Sequence, residues 1–144
     1  MKSARNAIKS GFRTACVEMT VKPAEMIDEM NNAEVVEGIA LRYIELAYDF
    51  PNLYKYLYMS ELDGEKMATT ARALRAENQD KVMQMLKREH GISVEAAEKY
   101  LMNLQLYVHG IASFAVTKIS FSSKEVIMQM IHDASEAFLE HVKK

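Results

Sequence analysis

The sequence predicts an all-α protein, an antiparallel bundle of about six helices. Three observations carry that expectation. Apolar residues recur at three- and four-residue spacing along nearly the whole chain, the period of a helix with one buried face. Alternating β-branched runs bounded by turn dipeptides are almost absent. The rare helix breakers Pro23, Pro51, Gly64 and Gly91 sit where a helical pattern stops. At 144 residues the chain fits one domain, 1–144, with 49% apolar and 26% charged residues to build it.

Taken in order, residues 3–20 read as a first amphipathic helix, with Ile8, Phe12, Ala15 and Met19 on one face. Pro23 interrupts it and opens a short helix, PAEMIDEM, because a proline fits the first turn of a helix and no later one. Asn31-Asn32 offers an N-cap for a helix over 33–48. Its charged residues Glu34, Arg42, Glu45 and Asp49 share one narrow arc, Glu37 being the stray, so the helix is expected to be central and buried on most sides. Pro51 ends it and starts a short helix over 51–59. A long helix follows over 65–89, closed by Gly91. Ser93 caps the next, which runs to about Lys118, and Ser122-Ser123 starts the last, which runs to Val142.

The last two helices carry more apolar surface than one core needs. In the final helix, charged and polar residues fill an arc of about 100° and apolar residues the other ~220°, whereas a surface helix needs an apolar stripe only about 100° wide. Such a helix is expected to bury two faces, one on its own core and one on a second subunit across a two-fold axis. The penultimate helix places Met102, Leu106 and Phe114 off its core stripe, beside Gly110 and Ser113. The expectation is an intersubunit four-helix bundle built from residues 93–142, with Gly110, Ser113, Phe114, Ile127, Ile131, Ala134 and Phe138 at the dimer interface.

Charge and motif content exclude several classes. The net charge of −2 gives no whole-chain case for a nucleic-acid binder. Residues 1–22 carry a balance of +4 and the remainder −6, but so few charges read more simply as a solvated helix face. Cys16 is the single cysteine, so no internal disulfide or cysteine-based zinc site forms and a reducing, cytoplasmic setting is expected. No apolar run has the length of a membrane helix. The Glu-x-x-His pairs of di-iron bundles, HExxH, GxSxG and the phosphate-cradling glycine loops are all missing. The cluster His132, Asp133, Glu136, Glu140 and His141 reads as a solvated face; no metal, cofactor or catalytic residue is expected. His109 reads as a structural histidine hydrogen-bonded within the bundle.

Rings and methionines remain. Residues 43–61, YIELAYDFPNLYKYLYMSE, hold half of the twelve aromatic residues around Pro51, and the chain has 11 methionines. Both side-chain types line small-molecule cavities as well as cores.

The step Phe50-Pro51-Asn52-Leu53-Tyr54 at the end of a helix, and Tyr107 followed by His109-Gly110 on the penultimate helix, occur in an order that resembles the C-terminal regulatory domain of TetR-family transcriptional regulators. The resemblance runs from about residue 5 to the end. It implies a homodimer joined by the last two helices, with a pocket for an inducer between the central ones. Occupancy of the pocket would shift the short aromatic helix and, through the connector-type helix at 1–20, the spacing of two DNA-binding heads. By helix phase, Tyr43, Tyr54, Tyr58, Met83, Asn103 and Tyr107 are the expected contacts of a small, largely apolar ligand. The family's helix-turn-helix head has no counterpart in this sequence, so DNA binding would need a head not present here. The sequence is then a fragment, a product of an internal start, or a headless domain. As alternatives, a headless domain could heterodimerise with an intact regulator, or the chain could be a small all-α enzyme.

Overall fold

The computed structural model describes residues 21–58, 69–118 and 123–144, with side chains described for 21–55, 76–118 and 123–144. The predicted first helix at 3–20 and Cys16 lie outside these residues, as do the side chains of Tyr56 and Tyr58. The described residues form helices α1 (Lys22–Met30), α2 (Val35–Asp49), α3 (Pro51–Tyr58), α4 (Thr69–His90), α5 (Val94–Val116) and α6 (Lys124–Lys143), and contain no strand. Among them, no helix is long and apolar enough to cross a membrane.

Local chemistry sets most boundaries. Ser93 accepts a hydrogen bond from the Ala96 backbone N–H at 3.1 Å and Ser123 one from Val126 at 3.3 Å, so α5 and α6 start on side-chain caps. Gly91 ends α4 at φ +64°, and its N–H bonds the Lys87 carbonyl at 2.9 Å. That left-handed conformation is the reason for a glycine there. Pro51 starts α3 directly after Phe50, whose own N–H still closes α2 on the Leu46 carbonyl. The Asn31-Asn32 pair works differently from the expected cap. Asn31 ends α1 in the left-handed region (φ +46°), and Asn32 accepts from the Glu34 N–H in a tight turn while Glu34 takes the N-cap position of α2.

The central helix is α2, as its sequence demands. It buries Val35, Val36, Ala40, Ile44, Leu46 and Ala47 and packs on α5, α6, α3 and α1. Its sense relative to α6 follows from two ion pairs. Lys124 meets Glu45 at 2.9 Å and His132 meets Glu37 at 3.0 Å, so an eight-residue advance along one helix matches an eight-residue retreat along the other, and the two are antiparallel. Helix α1 lies across α2 at close range. A Cβ added at Gly38 would stand 3.1 Å from Met26 Cε, so glycine there permits the approach. On the far side, α1 is tied to α4 by Lys81–Asp28 at 3.3 Å and by Arg88, which donates to the Asn31 carbonyl at 3.0 Å.

The core runs from Ile27 on α1 through Ile44, Leu86, Leu104 and Val108 to Ile131 on α6. Between α5 and α6 the Tyr100 hydroxyl is buried against Ser135 Oγ, and burial holds the phenol pKa above its ordinary value. Two of the predicted interface residues belong to this core. Ile127 and Ile131 are 3% and 1% exposed. They sit on the inward face of α6, so they have almost no surface left to give a partner. Val126 and Met128, both exposed, flank that face on opposite sides of the helix.

Candidate functional site

A cavity of about 440 Å³ opens between α1, α2, α4 and α5. The size falls within the roughly 300–1,000 Å³ of small-molecule pockets. Its walls follow from helix phase. Helix α2 presents Val36, Ile39, Ala40, Tyr43 and Leu46, spaced by three and four residues, on the side opposite Glu37 and Glu45. Helix α5 adds Leu101, Leu104 and Val108, α4 adds Val82, and Pro23 and Ile27 of α1 close one end. Polar groups enter at defined places. Arg42 comes from α2, Asn78 and Gln79 from α4, and Glu98 and Gln105 from α5. Arg42 Nε and Asn78 Oδ1 are sealed from solvent, while Gln79, Glu98 and Gln105 are exposed at the rim with Met102.

Beside the cavity, three rings from three helices meet. The Tyr43 hydroxyl lies 2.8 Å and the Tyr54 hydroxyl 2.9 Å from His109 Nδ1, and the two hydroxyls are 3.2 Å apart. The Tyr43 and Tyr54 rings stand edge to face with centroids 5.6 Å apart. Tyr54 is 0% exposed, so its hydroxyl is satisfied by this cluster and not by water. Either neutral tautomer of His109 satisfies the arrangement: Nδ1 accepts from one hydroxyl, or its N–H donates to one while that hydroxyl passes its own proton on to the other tyrosine. The cluster seats the eight-residue α3 on α2 and α5. Tyr43 also lines the cavity, so one side chain touches both features.

Of the six residues expected to hold a ligand, the structure brings Tyr43 to the cavity and Tyr54 to the ring cluster beside it. Tyr107, Asn103 and Met83 lie elsewhere. Tyr107 faces the opposite side of α5, where its ring stacks edge to face on Phe138 of α6 at 6.2 Å. Asn103 lies on the same side of the helix as Tyr107 and does not line the cavity; Met83 packs against the core one position from the lining residue Val82. The side chain of Tyr58 is not among those described. His109 is hydrogen-bonded within the bundle, as its surroundings on α5 suggested. The sequence reading missed Arg42, Asn78, Gln79, Glu98 and Gln105. The signal for Arg42 was present, a cation on the helix otherwise most apolar, within the narrow charged arc it shares with Glu34, Glu45 and Asp49.

The expected interface residues also divide. Phe114 is exposed, and an added Cβ at Gly110 would meet no atom within 4 Å, so both face open space. Ser113 is half-buried, and Ala134 and Phe138 are half-buried against the chain's own core.

On α6 His132 bridges two carboxylates through different ring nitrogens, Nδ1 to Glu37 at 3.0 Å and Nε2 to Glu136 at 3.1 Å. The carboxylates raise its pKa, with the Glu37 hydrogen bond the largest cause. Opposed nitrogens hold an ion-pair bridge between α2 and α6, and no group of three or more metal-binding side chains converges among the described residues.

Comparison of the chain with protein-family models, with curated proteins and with solved structures finds no match in any of the three.

Proposed function

We propose that the chain is the small-molecule-sensing and dimerisation domain of a TetR-like transcriptional regulator, working in the cytoplasm as a homodimer. The observation that supports this most is the cavity, about 440 Å³ with predominantly apolar walls. Contact with DNA falls to a helix-turn-helix head outside this sequence. Tyr43 gives the cavity a route to the rest of the molecule. An occupant pressing on its ring acts on the hydroxyl cluster that seats α3, and shifts the dimer only as far as it binds one arrangement more tightly than the other.

Methyl NMR with a neutral apolar probe, decanol, tests the sensing role. Saturable shifts are expected at Ile27, Ile39 and Met102, which line the cavity, with Met128 on the far face of α6 unmoved. Shifts spread over both sets, or none at all, would remove the cavity as a binding site.

A further inference from the structure

We infer that α1 and α4 form a single flap over α2 and α5, hinged where α1 turns into α2 and α4 into α5, and that its movement opens the cavity. The inference concerns access to the site proposed above; the joint movement itself does not depend on that reading.

The cavity lies between two layers. Helices α2, α5 and α6 pack on one another as a slab, and α2 and α5 supply one part of the lining, Val36 and Val108 among it. Helices α1 and α4 supply the rest, with Pro23, Ile27, Asn78 and Val82. These two also hold each other. They pack together, Lys81 of α4 meets Asp28 of α1 at 3.3 Å, and Arg88 donates to the Asn31 carbonyl at the end of α1 at 3.0 Å. The pair rests on the slab through α1 on α2 and α4 on α5.

Both described connections from the pair to the slab lie at one end. Helix α1 enters α2 through residues 31–34, and α4 enters α5 through residues 91–93. The two turns are side by side because Glu89, just before Gly91, accepts from the Ala33 N–H, just after Asn31, at 2.7 Å. Each turn holds one residue in the left-handed region, Asn31 at φ +46° and Gly91 at φ +64°. Paired short turns of this kind suit a hinge, in which a few residues at helix ends absorb a backbone rotation while the helices stay rigid. The connection from α3 into α4, residues 59–68, lies outside the described residues; a segment of that length reaches about 33 Å when extended, enough to follow a swing. Leverage favours the far end. Asn78 lies about 18 Å along α4 from His90, so a small rotation at the turns widens the cavity there. Glu89 is the positioning residue of the device, since its carboxylate ties the last turn of α4 to the start of α2.

The test reads the reactivity of buried thiols, which reports rigid-body opening as well as unfolding. Single cysteines replace Val36, Val82 or Val108 in the full chain carrying Cys16→Ser. These valines line the cavity from three helices and are 7%, 6% and 4% exposed. Ile131→Cys, on α6 away from the cavity and 1% exposed, is the control. Labelling rates are normalised to the unfolded chain. The three cavity thiols are expected to share one protection factor, at least about tenfold lower than that of Ile131→Cys. Glu89→Ala should lower the shared factor roughly fivefold and leave Ile131→Cys unchanged. Cavity thiols that differ among themselves, or that match the Ile131→Cys control, overturn the flap. So does a Glu89→Ala variant in which Val82→Cys responds and Val36→Cys and Val108→Cys do not, since that is fraying of α4 alone. The valine replacements nearly conserve volume, and the comparison among them stands without Glu89→Ala. Decanol at about tenfold its dissociation constant should slow all three cavity thiols about tenfold. Shared opening that decanol leaves untouched supports the flap and counts against the sensing role.

Discussion

At the scale of single residues, position relative to solvent decides what a polar side chain contributes. His132 shows this on the surface. It is half-exposed, and its link to Glu37 joins α2 to α6. Its pKa in the folded state is raised above the ordinary value near 6.5, mainly by that hydrogen bond. A raised histidine pKa contributes stability that is fully present below the unfolded value and fades as pH climbs through the folded value. The chain should therefore lose melting temperature relative to a His132→Gln variant as pH rises from about 5.5 to about 8.5. Because the pair is solvated, the relative change should be no more than about 2 °C. Melting curves of the two proteins across that range check it; a gap that widens in favour of the wild type at high pH would give the sign as wrong. Arg42 illustrates the opposite case: on α2 it lines the cavity with its Nε sealed from solvent.

At the scale of elements, α3 is the one whose stability is most at issue. A helix of eight residues is too short to hold itself together in water, so packing must supply what propensity does not. Among the described side chains of α3, Tyr54 is the buried one, and it meets Tyr43 of α2 and His109 of α5. Tyr54→Phe keeps the ring and removes the hydroxyl. His109 Nδ1 retains Tyr43 at 2.8 Å, so no buried nitrogen is orphaned and the cost should be only about 1 kcal/mol. Much of it should appear as local opening, an amide exchange rate in α3 raised roughly fivefold while α5 is little changed. Uniform acceleration of both helices would mean that α3 does not open as a separate unit. The elements also show what the sequence could tell. Ser93, Ser123, Gly91 and Pro51 were legible because caps, left-handed ends and proline starts are settled within four residues. The cavity was not, because Arg42, Asn78 and Gln105 come together only when three helices pack. Tyr107 was misplaced for a related reason. The phase of α5 gives a broad apolar arc, but not which part of it faces α6 and which faces the cavity.

At the scale of the whole molecule, the described residues leave large apolar side chains exposed on the last two helices. Helix α5 exposes Met102, Leu106 and Phe114, with Leu106 63% accessible, and α6 exposes Val126 and Met128. Scattered exposed side chains of this kind are ordinary, but Met102, Leu106, Gly110 and Phe114 follow one another at four-residue steps along one helix side. Gly110 leaves the middle of that stripe open to a close helix approach. The proposed two-fold contact uses this stripe and leaves out Ile127 and Ile131, which the fold's own core buries. An isologous contact meets its own copy, so a charge introduced near the axis is introduced twice and repels itself. Leu106→Glu combined with Phe114→Glu should therefore turn a dimer into a monomer at micromolar concentration, read by light scattering after gel filtration. Both positions are more than half exposed in the protomer, so helix content by circular dichroism should be unchanged. Ile131→Glu should behave differently: it places a charge in the core and should unfold the chain, not merely separate the subunits. A wild-type chain that scatters as a monomer at the same concentration would sink the dimer. A double variant that remains dimeric would move the interface off α5.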